Sequence, residues 1–399
     1  MSTMSSIARN LSTHVVSASL IFLGSSGALV AQTAWIQTSA PNQYWADVAS
    51  SADGTKLFGV VGDTTGLHPG QIYVSTNSGY TWNATSAPTT NWLSVACSAD
   101  GTKLVATVNT PGTMYRSTNS GATWTPATNA PDGCGSIAAS SDGSKWLAGT
   151  AGDYLYRSTN SGGAWTANGG TFGYYHAFAS SANGSNLFAT TFGVLVSTDA
   201  GNTWSGTSIP TSANGYLSVA CSSDGNKVVA VTGVTNNGFI YTSTNRGGNW
   251  IQSTVPKAFW LTAASSTDGT RLIAAAAGPG PLYTSVNSGA AWTSNSIAPK
   301  NWSSVASSAD GTKLVASVKN GGIYTWQIIP SLSISSLTTN VNLTWPSNNA
   351  SSTFVLEQNP TLATNNWAIT GITPVVVNQQ YQVTVPAVSN MSYRLVYFR

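Results

Sequence analysis

The chain has 399 residues, of which only 7% are Asp, Glu, Lys or Arg, and a net charge of +3. An ordinary globular protein carries roughly 25% charged residues, so Ser, Thr, Asn and Gly must supply the wettable surface here, a composition that suits an exterior protein. So small and dispersed a charge, with no run of Lys or Arg, excludes nucleic acid held by counterion release.

Residues 1–31 read as an export signal. Arg9 gives a basic start, Val15–Leu23 a short apolar core, and Ala28–Ala31 a small-residue end, which predicts cleavage near Gln32. The apolar run is too short to span a bilayer. The mature chain is therefore expected to be secreted or held at the cell envelope, with no transmembrane segment.

From residue 32 to about 329 one phrase recurs: an aromatic, a short apolar stretch, Ser-Ala-Asp-Gly-Thr-Lys-Leu, more apolar residues, then Ile-Tyr-x-Ser-Thr-Asn-Ser-Gly-x-Thr-Trp. The closing tryptophans, Trp82, Trp124, Trp165, Trp204, Trp250 and Trp292, stand 39 to 46 residues apart. Four short strands per period with tight turns between them are the mark of propeller blades. The turns Asp53-Gly54, Asp100-Gly101, Asp142-Gly143, Asn183-Gly184, Asp224-Gly225, Asp268-Gly269 and Asp310-Gly311 number seven, and such pairs suit positive-φ hairpin positions. In the second unit the strands are predicted at 92–98, 102–108, 113–118 and 122–127.

The seventh unit stops at Ile323-Tyr324-Thr325-Trp326 without its closing hairpin, whereas Trp35-Ile36-Gln37-Thr38 matches the outer-strand phrase Trp250-Ile251-Gln252-Ser253. The N-terminal strand is thus expected to complete the last blade, removing two open sheet edges. The fold class is all-β, a seven-bladed β-propeller closed by its N-terminal strand. Residues 330–399 follow it with short alternating strands at 332–336, 341–345, 353–358, 375–377, 382–385 and 393–398, a small β-sandwich.

The hairpins Ser75–Trp82, Ser117–Trp124, Ser158–Trp165, Ser197–Trp204, Ser243–Trp250 and Ser285–Trp292 resemble the Asp-box, or BNR repeat, Ser-x-Asp-x-Gly-x-Thr-Trp. That propeller superfamily includes sialidases, some endoglucanases, sortilin-type receptors and photosystem-assembly-factor-like proteins. The resemblance implies that the box is a peripheral folding element. Only Asp199 keeps the carboxylate, and Asn77, Asn119, Asn160, Asn245 and Asn287 replace it elsewhere; an Asn carbonyl accepts the same turn amides. The C-terminal phrases Leu-Thr-Trp-Pro, Phe-Val-Leu-Glu, Asn-Asn-Trp and Tyr-Arg-Leu resemble a fibronectin-type-III-like module, which implies a spacer or attachment unit.

Chemistry is sparsely provided. Glycoside cleavage generally needs two carboxyl groups across the scissile bond. The single Glu, Glu357, lies beyond the propeller, and with the turn and box acids set aside only Asp47, Asp63, Asp132 and Asp153 remain. The resemblance implies that a sialidase would carry an arginine cluster and a Tyr–Glu pair; Arg116, Arg157, Arg246 and Arg271 lie in or beside hairpins and turns instead. No catalytic residue, cofactor or metal is therefore expected. The rival reading is a polysaccharide hydrolase using an Asp pair such as Asp47 with Asp132, with His68 and His176 as further acid–base candidates; a third is a purely structural envelope protein.

Cys97, Cys134 and Cys221 are odd in number, with Cys97 and Cys221 at one repeat position, and are expected to be free, partly buried thiols. Cys134, Asp132 and His176 have no metal-ligand spacing. Lys56, Lys103, Lys145, Lys227, Arg271 and Lys313 follow the turn Asp by three residues and are expected to form a solvated, locally neutralised rim.

Eight residues before each turn stand Trp45, Trp92, Cys134, Tyr175, Tyr216, Trp260 and Trp302. Aromatics there could ring one mouth of the channel and bind a glycan or protein partner, or could interlock adjacent blades. Asp47, Tyr174 and His176 depart from the repeat beside them. The candidate binding set is Trp45, Asp47, Trp92, Tyr175, His176, Tyr216, Trp260 and Trp302, in a monomeric protein.

Overall fold

A computed structural model describes Leu20–Ile21 and residues 33–109, 112–150, 154–167, 175–234, 237–328, 333–336, 340–346, 354–359, 368–378, 380–386 and 392–397. Gln37–Gln327 forms one compact unit, and the N-terminal residues to Ile36 with Ile328–Arg399 form the other.

The larger unit is the expected propeller. Its second blade runs Trp92–Cys97, Leu104–Val108, Tyr115–Ser117 and Thr125–Pro126, antiparallel throughout, and the other blades repeat that order. The outer strands are only two residues long in the first six blades, shorter than the sequence pattern suggested. The second strand of each blade is its core, with Leu57–Val61, Leu104–Val108, Val228–Thr232 and Leu272–Ala276 buried at every position. Small residues on these strands, Gly59, Ala106, Ala148, Ala189, Ala230, Ala274 and Ala316, pair with Val48, Val95, Ile137, Phe178, Val219, Ala263 and Val305 of the innermost strands. A Cβ on Gly59 would stand 2.9 Å from the Trp45 ring, so only hydrogen fits there.

The last blade is Trp302–Ser307, Leu314–Gly321, Ile323–Ile328 and the N-terminal strand Thr33–Gln37. Thr38 N–H donates to the Ile323 carbonyl at 2.8 Å, and the Tyr324 hydroxyl donates to Gln37 Oε1 at 3.0 Å. The long strand Leu314–Gly321 also pairs Lys319 with Tyr44 and Gly321 with Gln43, tying the last blade to the first.

Each Asp-Gly turn is built alike. In the second blade Asp100 Oδ1 accepts the Ser98 hydroxyl at 2.5 Å and the Thr102 amide at 2.9 Å, while Gly101 holds φ at 63°. The Ser98 hydroxyl comes first among the groups that hold the Asp100 carboxyl down to about 2, followed by the Thr102 amide; the hydroxyls of Ser140 and Ser266 lead in holding Asp142 and Asp268 at about 2. The charges of the lysines after these turns help lower the neighbouring turn carboxylates, as expected of a locally neutralised rim, but the hydrogen bonds they form are to carbonyls. Lys56 Nζ donates to the carbonyl of Asp100, Lys103 to Asp142, Lys145 to Asn183, and Lys313 to Asp53, each reaching into the following blade at 2.8–2.9 Å. Asn186 makes the same reach to Asp224 with its amide.

The smaller unit contains two four-stranded antiparallel sheets, the layers of the expected sandwich. One holds Ser333–Ser336, Asn340–Pro346, Gln380–Pro386 and Val375–Val377, and the other Phe354–Asn359, Ala368–Ile369, Ser392–Tyr397 and Leu20–Ile21. Leu343, Trp345, Leu356, Val383 and Val385 are buried. Leu20 and Ile21 pair with Tyr393 and Ser392; the remainder of the expected signal lies outside the described residues. No helix among them is long and apolar enough to cross a membrane.

Deleting residues 33–38 leaves Ile323–Ile328 as an open edge, and the melting temperature should fall by about 5–10 °C; an unchanged thermal melt refutes closure by this strand. The turn carboxylates give a pH test. Their folded pKa lies below the ordinary value, so their stabilisation is complete above about pH 4 and disappears as pH falls towards 2. Asp100→Asn, which copies Asn183, should cost under about 1 kcal/mol at pH 7. Its deficit in urea unfolding should shrink towards pH 2.5.

Candidate functional site

Six aromatics of the candidate set, with Cys134, are sunk between blades, not ranged around an open mouth. Trp45, Trp92, Tyr175, Tyr216, Trp260, Trp302 and Cys134 are 0–6% exposed. Trp92 packs with Phe58, Val60 and Ile72 of the blade before it. Tyr216 packs with Phe188 and Val194, Trp260 with Val229 and Ile240, and Trp45 with Val315 and Ile323, again each against the preceding blade. Four of them meet the third-strand tyrosine of their own blade edge-on, as Trp92 does Tyr115 at 5.5 Å. Burial and edge-to-face contact of this kind make these rings a packing device. The cause is a β-bulge: register shifts between Trp45 and Asp47, between Trp92 and Ser94, and at the same point in the third, fifth, sixth and seventh blades. Without a bulge, residues two apart share a face; the extra residue sends the large ring into the blade interface and turns the next position the other way.

Asp47 occupies that next position, where other blades have Ser94, Ser136, Ala177, Ser218, Thr262 and Ser304. Its carboxylate bridges three innermost strands: Oδ2 accepts the Ser94 hydroxyl at 2.7 Å and the Val95 amide at 3.0 Å, and Oδ1 accepts the Ser304 hydroxyl at 2.6 Å and the Val48 amide at 2.8 Å. Burial pushes its pKa up and these four donors oppose that. With both oxygens engaged by donors, half-buried Asp47 is a clasp between the second and seventh blades. Asp132 is exposed and accepts the Gly112 amide at 2.6 Å. Asp153 and Tyr174 lie outside the described residues. Among the described residues no group of three His, Cys, Asp or Glu could hold a metal ion.

Cys97, Cys134 and Cys221 are unpaired, and burial first raises each thiol to about 12, which keeps them protonated and unreactive.

The chain's connecting loops, by contrast, carry accessible groups. His68 Nδ1 lies 2.6 Å from Oδ2 of buried Asp63, and its ring stacks on Tyr44 with centroids 3.4 Å apart. Burial raises the Asp63 carboxyl but Thr65 and His68 outweigh it, so its pKa is lowered. Leu67, Tyr154 and Phe192 are 75%, 56% and 54% exposed. Lys257 Nζ sits 4.8 Å over the Phe239 ring and Lys300 Nζ 4.9 Å over that of Tyr324. His176 is exposed, and partial burial lowers its pKa. Of these, the sequence singled out Asp63, His68 and His176; Leu67, Tyr154, Phe192, Lys257 and Lys300 were not found, because they lie where the repeat breaks down, in loops of different length.

These features define a β-propeller whose irregular face is its loop face. No family model and no curated protein matches the sequence. Among solved structures the chain is similar to YCF48 bound to D1 peptide, with a TM-score of 0.56 and 17% identity over 76% of this chain and 99% of that one. It is likewise similar to YCF48 from Cyanidioschyzon merolae, with a TM-score of 0.57 and 16% identity over 74% and 98%. At such identity the likeness is one of fold.

Trp92→Ala and Trp260→Ala should each cost about 3–5 kcal/mol in urea unfolding, the penalty for emptying an aromatic site in a packed core; losses below about 1 kcal/mol contradict the packing role.

Proposed function

We propose that this chain is a secreted or cell-surface, non-catalytic β-propeller that holds a protein segment against its loop face. The observation that carries the reading is the asymmetry between the two ends of the blades. One end is seven copies of a hydrogen-bonded turn, with Lys56, Lys103, Lys145 and Lys313 spent on carbonyls. The other bears exposed Leu67, Tyr154 and Phe192 together with Lys257 and Lys300, which have no carboxylate partner among the described residues. Aromatic and apolar anchors on the same end of the blades as cations without a carboxylate partner suit an extended segment with acidic and apolar side chains. The fold neighbour YCF48 has been solved bound to a D1 peptide, which supports a peptide as the kind of ligand.

The hairpins are read as degenerate Asp-boxes that brace the blades, and the C-terminal unit as a fibronectin-type-III-like spacer. A glycan at the mouth has less support, because the flat rings that would stack on sugar are buried. Hydrolysis by an Asp pair is disfavoured by the four donors on Asp47.

Fluorescence anisotropy against a library of labelled acidic, aromatic-rich peptides should return binders, and Lys257→Glu with Lys300→Glu should weaken them by about tenfold or more, about 1.4 kcal/mol, with an unchanged melt. Binders indifferent to both reversals, or turnover of a polysaccharide that Asp47→Asn abolishes, would sink the reading.

A further inference from the structure

The fifth blade's hairpin departs from the others at one residue. Its left-handed position, filled by Ser78, Ser120, Ser161, Ala200 and Ser288 elsewhere, is Arg246, with φ of 60°. Gly248 follows where the first two hairpins have Tyr80 and Ala122. Together they open onto a crevice of about 600 Å³ between the fourth and fifth blades, lined also by Thr207, Ser208, Asn226 and Asn245.

Two polar atoms in its lining are buried without a hydrogen-bond partner among the described residues, Arg246 Nε and Thr207 Oγ1. Both stand out against the repeat. The hydroxyls of Thr38, Thr85 and Ser253, which follow outer strands as Thr207 does, each accept the amide two residues on. Among the described residues the guanidinium makes one side-chain hydrogen bond, Nη2 to the Asn226 amide oxygen at 3.0 Å. The nearby carboxylate of Asp224 is committed to Ser222 and to Asn226 itself, and Arg246 forms no ion pair among the described residues.

A partly buried guanidinium with an unused Nε–H beside a hydroxyl and two side-chain amides is built to receive a planar oxyanion and the hydroxyls around it. We propose that this crevice binds a hydroxylated carboxylate of monosaccharide size, a sugar acid. Its carboxylate accepts from Arg246 Nε and its hydroxyls bond Thr207, Asn226 and Asn245. The site is separate from the loop face, since the backbone amide of Arg246 donates to the Asn226 carbonyl in the turn at the opposite end of the blade.

The test uses the full chain with D-glucuronate, D-glucose and acetate as probes, read by saturation-transfer NMR and titration. Saturable glucuronate binding is expected at millimolar concentration, with glucose and acetate each weaker by about tenfold. Arg246→Ser restores the residue of four other hairpins and so leaves the melt unchanged or raised; it should weaken glucuronate by about tenfold or more, and Thr207→Val by about threefold. The proposal is overturned if glucuronate does not saturate, if Arg246→Ser binds it as the parent does, or if glucose or acetate binds equally well.

Discussion

The propeller depends on a closed circuit of backbone hydrogen bonds. Just before each turn, an amide donates to the equivalent carbonyl of the next blade: Ala52 to Ala99, Ala99 to Ser141, Ser141 to Ala182, Ala182 to Ser223, Ser223 to Thr267, Thr267 to Ala309, and Ala309 back to Ala52, all at 2.7–2.8 Å. Every residue in the circuit both donates and accepts, so opening the ring at any junction leaves one amide and one carbonyl without their partners. The circuit closes the ring, and each copy of the turn presents the same backbone amide and carbonyl at the same place whether its residue is Ala, Ser or Thr.

The long side chains reinforce that circuit in the same rotational sense. Lys313 of the last blade reaches the Asp53 carbonyl of the first as Lys56 reaches that of Asp100, so the seam where the chain's two ends meet is bonded like any other junction. Asp47 bridges both neighbouring blades, where the equivalent Ser218 of the fifth blade accepts the Ala263 amide of the next blade at 3.1 Å. At its place the other blades carry a neutral residue, and its two oxygens join strands from the second and seventh blades. The carboxylate stands in the first blade, next to the seam, where a bridge across both neighbours contributes most to holding the ring shut.

The repeat made blade number, turn positions and the exchanged N-terminal strand legible, because each is written as a recurring phrase with known turn chemistry. The placement of the aromatics was not legible. Period-two alternation puts Trp45 and Asp47 on one face, and nothing in Trp-Ala-Asp or Trp-Leu-Ser announces the bulge that separates them. The rim lysines were visible as a pattern, but their partners are carbonyls in the next blade, which sequence spacing within one blade does not reveal. Arg246 was visible too, as the lone large residue at a left-handed position. Its meaning required Thr207, which lies 39 residues earlier and on another blade.

That last pair shows where specialisation can enter so regular a molecule. Within a blade, most side chains are committed twice, to their own sheet and to a neighbour, and a change at such a position propagates around the ring. The fourth residue of the hairpin is different: in five of six copies it is Ser or Ala, held at positive φ with its conformation set by Gly79 and its equivalents and not by its own side chain. A large side chain can be placed there at the cost of about 1 kcal/mol of backbone strain and no loss of blade packing. The serines and the alanine hold the same φ of 57–61°, so in the fifth blade an arginine is accommodated with no backbone strain beyond theirs, and its Nε has no partner among the described residues. The blade does not require that guanidinium, since five other hairpins are built without one, and that is why the departure in this hairpin outweighs the five conforming positions around it.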